Sequence, residues 1–191
     1  METKEAIRNR IKLERKQLSK EVVTEKSRKI CQNITSQEWY VNLSGVLCVY
    51  SAISNEVLLD ELIQEAFSKG QKLAFPRVRG KDMDFYLVNS YEDLEEGSFH
   101  ILEPKESSPV YEPKAGDVML VPGVAFSEKG SRIGFGQGYY DRYLTRFPKV
   151  YPVGVAYEMQ IVQDWGKQTF DIPMGRIITE QREVRVYDRE F

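Results

Sequence analysis

The residues best suited to chemistry in this sequence form a short glycine-rich run, Gly134-Phe-Gly-Gln-Gly138. Glycine adopts positive φ angles and lets a ligand approach the backbone closely, so the N–H groups of such a run can surround an anion. A helix is predicted directly after it, and the partial positive charge at a helix N-terminus favours phosphate. The run matches neither of the common phosphate-binding motifs, however. Its pattern alone therefore leaves two interpretations open, a phosphate-binding loop and a glycine-rich surface turn.

Charged and aromatic residues flank this run and favour the first interpretation. Arg132 places a cation two residues before the first glycine, and Asp141 falls in the first turn of the predicted helix. A carboxylate at that point suits a Mg²⁺ ion that carries phosphates, although it also suits the helix dipole. Tyr139 and Tyr140 can stack on a flat heterocycle or pack as ordinary aromatic residues. Together these residues are typical of a loop that binds the phosphates of a nucleotide.

The composition excludes several classes of function. A length of 191 residues fits one domain, 1–191, and a net charge of -2 argues against a protein that binds duplex nucleic acid. The chain has a single histidine, His100, which rules out a site with several histidine ligands. A catalytic triad would have to use that one side chain. We therefore expect small-molecule partners and no nucleic acid.

Cysteine usage and hydropathy bear on location. Cys31 and Cys48 lie in apolar segments and are expected to be buried free thiols, which fits a reducing cytoplasm. The start of the sequence is charged and polar, unlike a signal peptide. No apolar run approaches the roughly 18 residues of a membrane span. We expect a cytoplasmic protein without membrane contact, and a monomer, with a dimer as the alternative.

The elements that position the glycine run are predicted from apolar periodicity. Helices are predicted over 3–18, 20–34, 56–69 and 139–146, with Gly70 closing the third. Strands are predicted over 45–50, 72–76, 83–88, 118–121, 150–156 and 176–179. A short helical piece is expected near 158–164, and the polar stretch 89–117 is expected to be a long connection that contacts the substrate.

This order of elements indicates the fold class. It predicts a three-layer α/β/α domain with a mostly parallel central sheet, Rossmann-like, in an architecture similar to that of sugar-phosphate isomerases and CoA transferases. Ligands of such sheets bind at the carboxyl ends of the strands. The glycine run follows a strand and is therefore expected at that edge.

A family resemblance appears at these residues. The segment from Gly130 to Asp141 resembles the signature of the 5-formyltetrahydrofolate cyclo-ligase family, also called 5,10-methenyltetrahydrofolate synthetases, which is close to G-x-R-[LI]-G-x-G-x-G-[YF]-Y-D. Further matching pieces occur in the family's order along almost the whole chain: Lys4-x-x-x-Arg8, Asn55-Glu56, Phe75–Val78, Ile101–Pro104, Val121–Phe126 and Gly154–Gln160. The combination is far more specific than any one motif.

The resemblance implies an enzyme and a reaction. The enzyme would convert 5-formyltetrahydrofolate to 5,10-methenyltetrahydrofolate in one-carbon metabolism, with ATP as co-substrate, Mg²⁺ as cofactor, and ADP and phosphate as products. The formyl oxygen attacks the γ-phosphate, and ring closure by the neighbouring nitrogen then releases phosphate. Phosphoryl transfer depends mainly on positioning and charge neutralisation, so a site without histidine is no obstacle.

The resemblance also assigns residues to roles. It implies that three cations act in catalysis and bind ATP: Lys4, Arg8 and Arg132. It implies further ATP contacts from Gly134, Phe135, Gly136, Gln137, Gly138, Tyr139 and Tyr140. The implied folate contacts are Glu56, Ser51, Phe135, Gly136, Gln137, Gly138 and Tyr139, and a carboxylate suits the N–H donors of a pterin edge. Asp141 is the implied Mg²⁺ ligand. Taken alone, Lys4 and Arg8 also fit a solvated helix face.

The chain departs from the family pattern at three positions. Gly175 stands where some members carry a second metal-linked Asp, so either Asp171 substitutes or water completes the Mg²⁺ shell. Gln137 stands where Lys or Gly is common, and His100 where Gly is common. These departures affect the expected affinity and rate more than the expected reaction.

Two alternatives remain open at this stage. The first is a sugar-phosphate isomerase or acyl-carrier transferase of the same architecture, because fold alone does not determine function. The glycine run combined with Lys4 and Arg8 argues against it. The second is a non-catalytic folate- or nucleotide-binding relative, for which Gly175 and Gln137 are the main arguments.

Overall fold

The structure, a computed structural model, describes residues 2–97, 100–165 and 171–188. Its helices are α1 (Lys4–Lys16), α2 (Lys20–Thr35), α3 (Glu38–Val41), α4 (Asp60–Ser68) and α5 (Tyr139–Arg146). Its strands are β1 (Leu47–Cys48), β2 (Leu73–Arg79), β3 (Asp82–Val88), β4 (Leu94–Glu96), β5 (Leu102–Pro104), β6 (Val110–Tyr111), β7 (Val118–Val121), β8 (Ala125–Phe126), β9 (Arg132–Ile133), β10 (Tyr151–Val155), β11 (Arg176–Ile178) and β12 (Glu183–Arg185). Two 3₁₀ turns lie at Tyr91–Asp93 and Glu158–Gln160.

Eight strands form the main sheet, in the order β12-β11-β10-β7-β1-β2-β3-β6. The central strands from β11 to β2 are parallel, whereas β12, β3 and β6 pair antiparallel at the two edges. The predicted mostly parallel α/β sheet is therefore confirmed. The antiparallel edges were not predicted, since periodicity does not report strand direction.

Helices cover both faces of this sheet, because successive strand residues point to opposite sides. On one face, Leu47 of β1 packs with Ile30 of α2 and Leu62 of α4. On the other face, Cys48 packs in the cluster that contains Leu144 of α5. Burial on both faces explains why β7 is continuously apolar. Both cysteines are buried and free, as expected.

The predicted helix over 56–69 was wrong at its start, because α4 begins only at Asp60. The residues before it make tertiary hydrogen bonds instead of helical ones. The Ile53 N–H donates to the Glu56 carboxylate at 2.9 Å, and the Leu58 N–H donates to Ser27 Oγ at 2.9 Å. Glu56 therefore lies in a turn that is fixed by α2 and by its own side chain.

The stretch 89–117 is more ordered than the predicted long connection. It contains a hairpin of β4 and β5 and the edge strand β6, which pairs with β3. Short polar strands of two or three residues are too brief for an alternating pattern to reveal. His100 is exposed and pairs with Glu96, and Phe99 lies outside the described residues.

Other predictions differ mainly in their bounds. Helix α5 has the predicted limits, whereas the helical piece near 158–164 is only the 3₁₀ turn Glu158–Gln160. The charged tail forms β12 against β11. Among the residues placed by the structure, no helix is both long and apolar enough to cross a membrane.

Candidate active site

A cavity of about 480 Å³ opens at the carboxyl ends of the parallel strands. Tyr50 and Ser51 enter its wall just after β1, and Pro122 enters just after β7. This is the edge where the strand order predicts a ligand site.

The cavity brings together every residue that the resemblance assigned to ATP, folate or metal. Its lining includes Lys4, Arg8, Ser51, Glu56, Arg132, Gly134, Phe135, Gly136, Gln137, Gly138, Tyr139, Tyr140 and Asp141. Helix α1, the turn before α4, strand β9 and the start of α5 supply them. Segments that are distant in the sequence therefore share one space.

The glycine run has the backbone that its composition predicts. Gly136 has φ 108° and Gly138 has φ 70°, in the left-handed region that disfavours other residues. Gly138 immediately precedes α5 as its N-cap residue. Arg142 of α5 holds the run by donating to Gln137 O at 2.7 Å and to Lys81 O at 2.6 Å. A Cβ on Gly138 would lie 2.8 Å from Arg142 Nη1, so another residue here would have to displace the end of that side chain in addition to adopting the unfavourable positive φ.

Arg132 lies beneath this run as a nearly buried cation, 7% exposed. Its Nη1 donates to Pro122 O at 3.2 Å, and its Nη2 contacts Asp141 Oδ1 at 3.1 Å. Its Nε has no hydrogen-bond partner in the described parts of the chain. A buried N–H without a hydrogen-bond partner is uncommon and costs free energy.

Two further cations reach the cavity from α1. Lys4 Nζ pairs with Asp171 Oδ2 at 2.8 Å, and Arg8 Nε donates to Gly134 O at 2.9 Å. Buried Ile7 and Ile11 anchor the helix in a third core cluster beside β8 and β9. The apolar side of α1 thus fixes the orientation of the helix. Lys4 and Arg8 therefore face the cavity, and the alternative that they lie on a solvated helix face is wrong.

The carboxylates near the cavity bear on metal binding. Asp141 is 38% exposed at its side chain and Asp171 lines the opposite wall, but each already contacts a cation. Within the described residues, no three His, Cys, Asp or Glu side chains are grouped as a metal site. Gly175 is not among the lining residues, and a Cβ there would lie 2.3 Å from the Tyr151 ring. A second Asp at this position therefore does not fit the present packing.

Glu56 is a buried carboxylate that lines the cavity, 4% exposed. Burial raises its pKa to about 7, against the opposing influence of the Ile53 N–H and of the charges on Arg15 and Arg132. Its charge state therefore changes near neutral pH, unlike that of an exposed glutamate. An ionised carboxylate in this setting is a strong acceptor for N–H donors of a ligand.

Sequence reasoning missed the apolar wall of the cavity. This wall comprises Tyr50, Ile53, Pro76, Val78, Met83, Ile101 and Leu102. Ile53, Val78 and Leu102 are 39%, 46% and 44% exposed, which is unusual for large apolar side chains lying together. Pro76, Val78, Ile101 and Leu102 belong to matching family segments, so a signal existed for them. Tyr50, Ile53 and Met83 lie outside those segments, and only the fold reveals that they meet the others.

Sequence reasoning also missed Arg15. It is 2% exposed, donates to Gly123 O at 3.1 Å and lies 5.2 Å from the centroid of the Phe135 ring. Phe135 itself lines the cavity, while its ring packs against the α1 core cluster.

Comparison with known proteins gives consistent results. The family model described as "5-formyltetrahydrofolate cyclo-ligase family" matches residues 1–180. The 5-formyltetrahydrofolate cyclo-ligase of Mus musculus is 26% identical over 196 residues, covering 93% of this chain and 93% of the other. That of Saccharomyces cerevisiae is 31% identical over 166 residues, covering 77% of this chain and 78% of the other. The solved 5,10-methenyltetrahydrofolate synthetase of Aquifex aeolicus is 35% identical, with a TM-score of 0.86 over 98% of this chain and 95% of that one.

Proposed function

Because the chain belongs to the 5-formyltetrahydrofolate cyclo-ligase family, we propose that it converts 5-formyltetrahydrofolate to 5,10-methenyltetrahydrofolate with ATP and Mg²⁺, releasing ADP and phosphate. One observation carries this proposal. A single cavity is lined by the cations Lys4, Arg8 and Arg132, by the glycine run and by the buried carboxylate of Glu56. A reaction between a nucleotide and a heterocycle requires both kinds of group to face the same space.

We place the phosphates of ATP at the glycine run. Gly136 and Gly138 give the backbone the conformation in which consecutive N–H groups can converge, and α5 begins there. The guanidinium of Arg132 adds a nearly buried positive charge to the same wall. Arg8, held by Gly134 O, adds a second guanidinium.

We place the pterin ring of the folate against Glu56 and the apolar wall of the cavity. Glu56 accepts N–H donors of the ring edge, and the exposed faces of Ile53, Val78 and Leu102 cover its apolar surface. Ser51 donates to Leu102 O at 2.6 Å and so fixes that side of the wall. Covering these side chains removes apolar surface from water, which favours binding.

In the proposed reaction the formyl oxygen attacks the γ-phosphorus while the bond from that phosphorus to ADP breaks. Lys4, Arg8 and Arg132 offset the negative charge that spreads over the phosphoryl oxygens. The neighbouring amine nitrogen then attacks the activated formyl carbon and loses its proton to water. The carbon–oxygen bond breaks, phosphate leaves, and the methenyl bridge remains. No protein nucleophile is needed, and the cavity lining contains no histidine or cysteine.

The residues fit a Mg²⁺ ion that arrives on the nucleotide. Such an ion is held by one or two carboxylates, phosphates and several waters, and when bound it neutralises phosphate charge. Asp141 is the carboxylate beside the glycine run, and its Arg132 contact keeps it oriented towards that end of the cavity. Asp171 is engaged with Lys4 and is the less suitable ligand.

The non-catalytic alternative loses one of its two arguments, because Gly175 lies outside the cavity lining. The test is to mix the protein with 5-formyltetrahydrofolate and Mg-ATP, and to follow both the near-ultraviolet absorbance of the methenyl product and the release of ADP. We expect the two to rise together, only when ATP is present. Folate binding by calorimetry without either signal would reject the enzyme and leave the binding protein. An Arg132→Met variant, expected to lose the signal, controls for contaminating activity.

We further propose that the protein acts in the cytoplasm as a monomer, on small molecules alone. The buried free thiols Cys31 and Cys48 and the near-neutral net charge of -2 support this. Light scattering during gel filtration tests the assembly state, and a mass of two chains would reject the monomer.

A further inference from the structure

We propose that Arg15, which lies behind the cavity wall, is a positioning residue that holds Glu56 and Phe135 in place for the folate ring. This inference rests on the proposed function and assigns a role to a residue outside the cavity lining. Arg15 belongs to α1, the helix that also presents Lys4 and Arg8.

The burial of Arg15 is the first observation. The side chain is 2% exposed, and its described hydrogen bond is from Nη1 to Gly123 O at 3.1 Å. No carboxylate in the described chain lies within ion-pair distance of it. Burying a guanidinium without a direct ion pair costs free energy, whereas an apolar side chain of similar length would fill the space without that cost. A positive charge at this point therefore needs an explanation beyond packing.

The contact with Phe135 is the second observation. The Arg15 guanidinium lies 5.2 Å from the centroid of the ring, and Lys12 Nζ lies 4.9 Å from it. Cations within about 6 Å of a ring centroid are attracted to it. Phe135 lines the cavity, so holding its ring fixes one side chain of the cavity wall.

The link to Glu56 is the third observation. Asn55 Nδ2 donates to Arg15 O at 3.1 Å and to Leu18 O at 3.3 Å, so the residue next to Glu56 caps the end of α1. Asn55 adopts φ 58°, and this left-handed backbone turns Glu56 towards the cavity. The end of α1 therefore contacts Phe135 through the Arg15 side chain, and it contacts the residue beside Glu56 through the backbone carbonyls of Arg15 and Leu18.

Electrostatics gives the link a measurable consequence. The charged groups that act on Glu56 are Arg15 and Arg132, and the phenols near it are Tyr50, Tyr140 and Tyr157. Burial raises the pKa of all three phenols, so they stay neutral around pH 7. The two guanidinium groups are thus the charges that favour ionised Glu56. Without Arg15, Glu56 is expected to hold its proton to a higher pH.

The test compares Arg15→Met with the wild type in folate titrations and in steady-state kinetics from pH 6 to pH 9. We expect the Kd and KM for 5-formyltetrahydrofolate to rise about tenfold at neutral pH, to recover partly as the pH rises, and the KM for ATP to change less than about threefold. Arg15→Lys, which keeps the charge, should restore most of the wild-type pH profile. In a Glu56→Gln background, the pH-dependent part of the Arg15→Met effect should disappear.

Arg10→Met is the matched control, because Arg10 lies on the same helix, half-exposed, and pairs with Glu2 and Glu14 at the surface. It should leave both substrates unaffected. If Arg15→Met does not fold, Arg15→Gln replaces it, since glutamine keeps a donor for Gly123 O without the charge. A folded uncharged variant with a wild-type folate Kd and pH profile, or with equal losses for folate and ATP, would overturn the role of Arg15.

The titration separates this inference from the proposed function. A wild type that binds folate without turnover would remove the proposed reaction, and the folate Kd values would still decide the role of Arg15. A wild type that binds no folate would overturn both.

Discussion

The buried carboxylate of Glu56 makes folate affinity dependent on pH near neutrality. Burial raises its pKa from 4.5 to about 7, and the ligand is expected to bind the ionised form. For a group with that pKa, the ionised fraction is about 0.9 at pH 8, about 0.5 at pH 7 and about 0.1 at pH 6. Since apparent affinity scales with the competent fraction, the Kd should rise about tenfold from pH 8 to pH 6.

The perturbation is Glu56→Gln, measured by calorimetric titration of 5-formyltetrahydrofolate at pH 6, 7 and 8 without ATP. The variant keeps the shape and an acceptor for the Ile53 N–H but has no charge to titrate. We expect its Kd to be about tenfold to a hundredfold weaker than wild type at pH 8 and nearly constant across the range. A wild-type Kd that does not change with pH, or a slope that persists in Glu56→Gln, would refute the assignment.

The stability of the folded protein should fall as the pH rises, whereas folate affinity should increase. Because the folded-state pKa of Glu56 is raised, the folded protein binds more protons than the unfolded chain between pH 4.5 and about 7, and stability falls as the pH rises through that window. Each pKa unit corresponds to roughly 1.4 kcal/mol, so ionised Glu56 costs about 3 kcal/mol above pH 7. Glu56→Gln should therefore melt higher than wild type at pH 8, with little difference at pH 4. A variant that is less stable at pH 8 would show that the carboxylate stabilises the fold instead.

Three other substitutions test the site. Asp141→Ala should lower kcat about a hundredfold and change the folate Kd less than about threefold, because Asp141 lies beside the glycine run where the phosphates are proposed to bind. Stopped-flow measurement of turnover and calorimetric measurement of folate binding test this. A loss of folate affinity without a loss of turnover would contradict it. Gly138→Ala should raise the KM for ATP about tenfold and lower the free energy of unfolding in urea by about 1–2 kcal/mol, because position 138 has a positive φ and Arg142 lies close to it. Unchanged kinetics would show that the glycine run does not hold phosphate. Gly175→Asp should destabilise the protein by more than about 2 kcal/mol, because the new side chain clashes with Tyr151, and it should not lower the Mg²⁺ concentration needed for half-maximal activity. A lower Mg²⁺ requirement with normal stability would mean that a second metal ligand can form at this position.

The fold was predictable where one local pattern determined the outcome. Helix α5 has the predicted bounds because a left-handed Gly138 precedes it and its apolar side chains recur at helical spacing. Helix α4 was placed too early because the hydrogen bonds of the turn at Glu56 come from α2, which the local sequence does not show. The pair β4 and β5 escaped notice because each strand has only three residues, too few to show an alternating pattern.

The residues of the site also divide into those that the sequence predicts and those that only the fold brings together. The motif residues from Arg132 to Asp141 are contiguous, so their meeting in one cavity was predictable, and the family resemblance supplied Lys4 and Glu56. The apolar wall was predictable only at its family-matching segments, because its other members come from separate strands and turns. Arg15 reads as one more cation on a charged helix, and only its 2% exposure distinguishes it. Sequence patterns record local periodicity, whereas burial of a single charged side chain is a property of the packed molecule.

Helix α1 also has a consequence for the order of folding. Its residues Ile7 and Ile11 are covered by β8, β9 and Phe135, whose positions in the chain are more than a hundred residues later. Contacts between residues so far apart in the sequence form late in folding, because closing the long intervening loop costs entropy before the contacts can stabilise the chain. During synthesis, helix α1 therefore remains undocked, with Ile7 and Ile11 uncovered, until the glycine run has been synthesised. Binding of ATP at that run would then stabilise the docked helix by mass action, so the substrate itself would help to complete the folding of its own site.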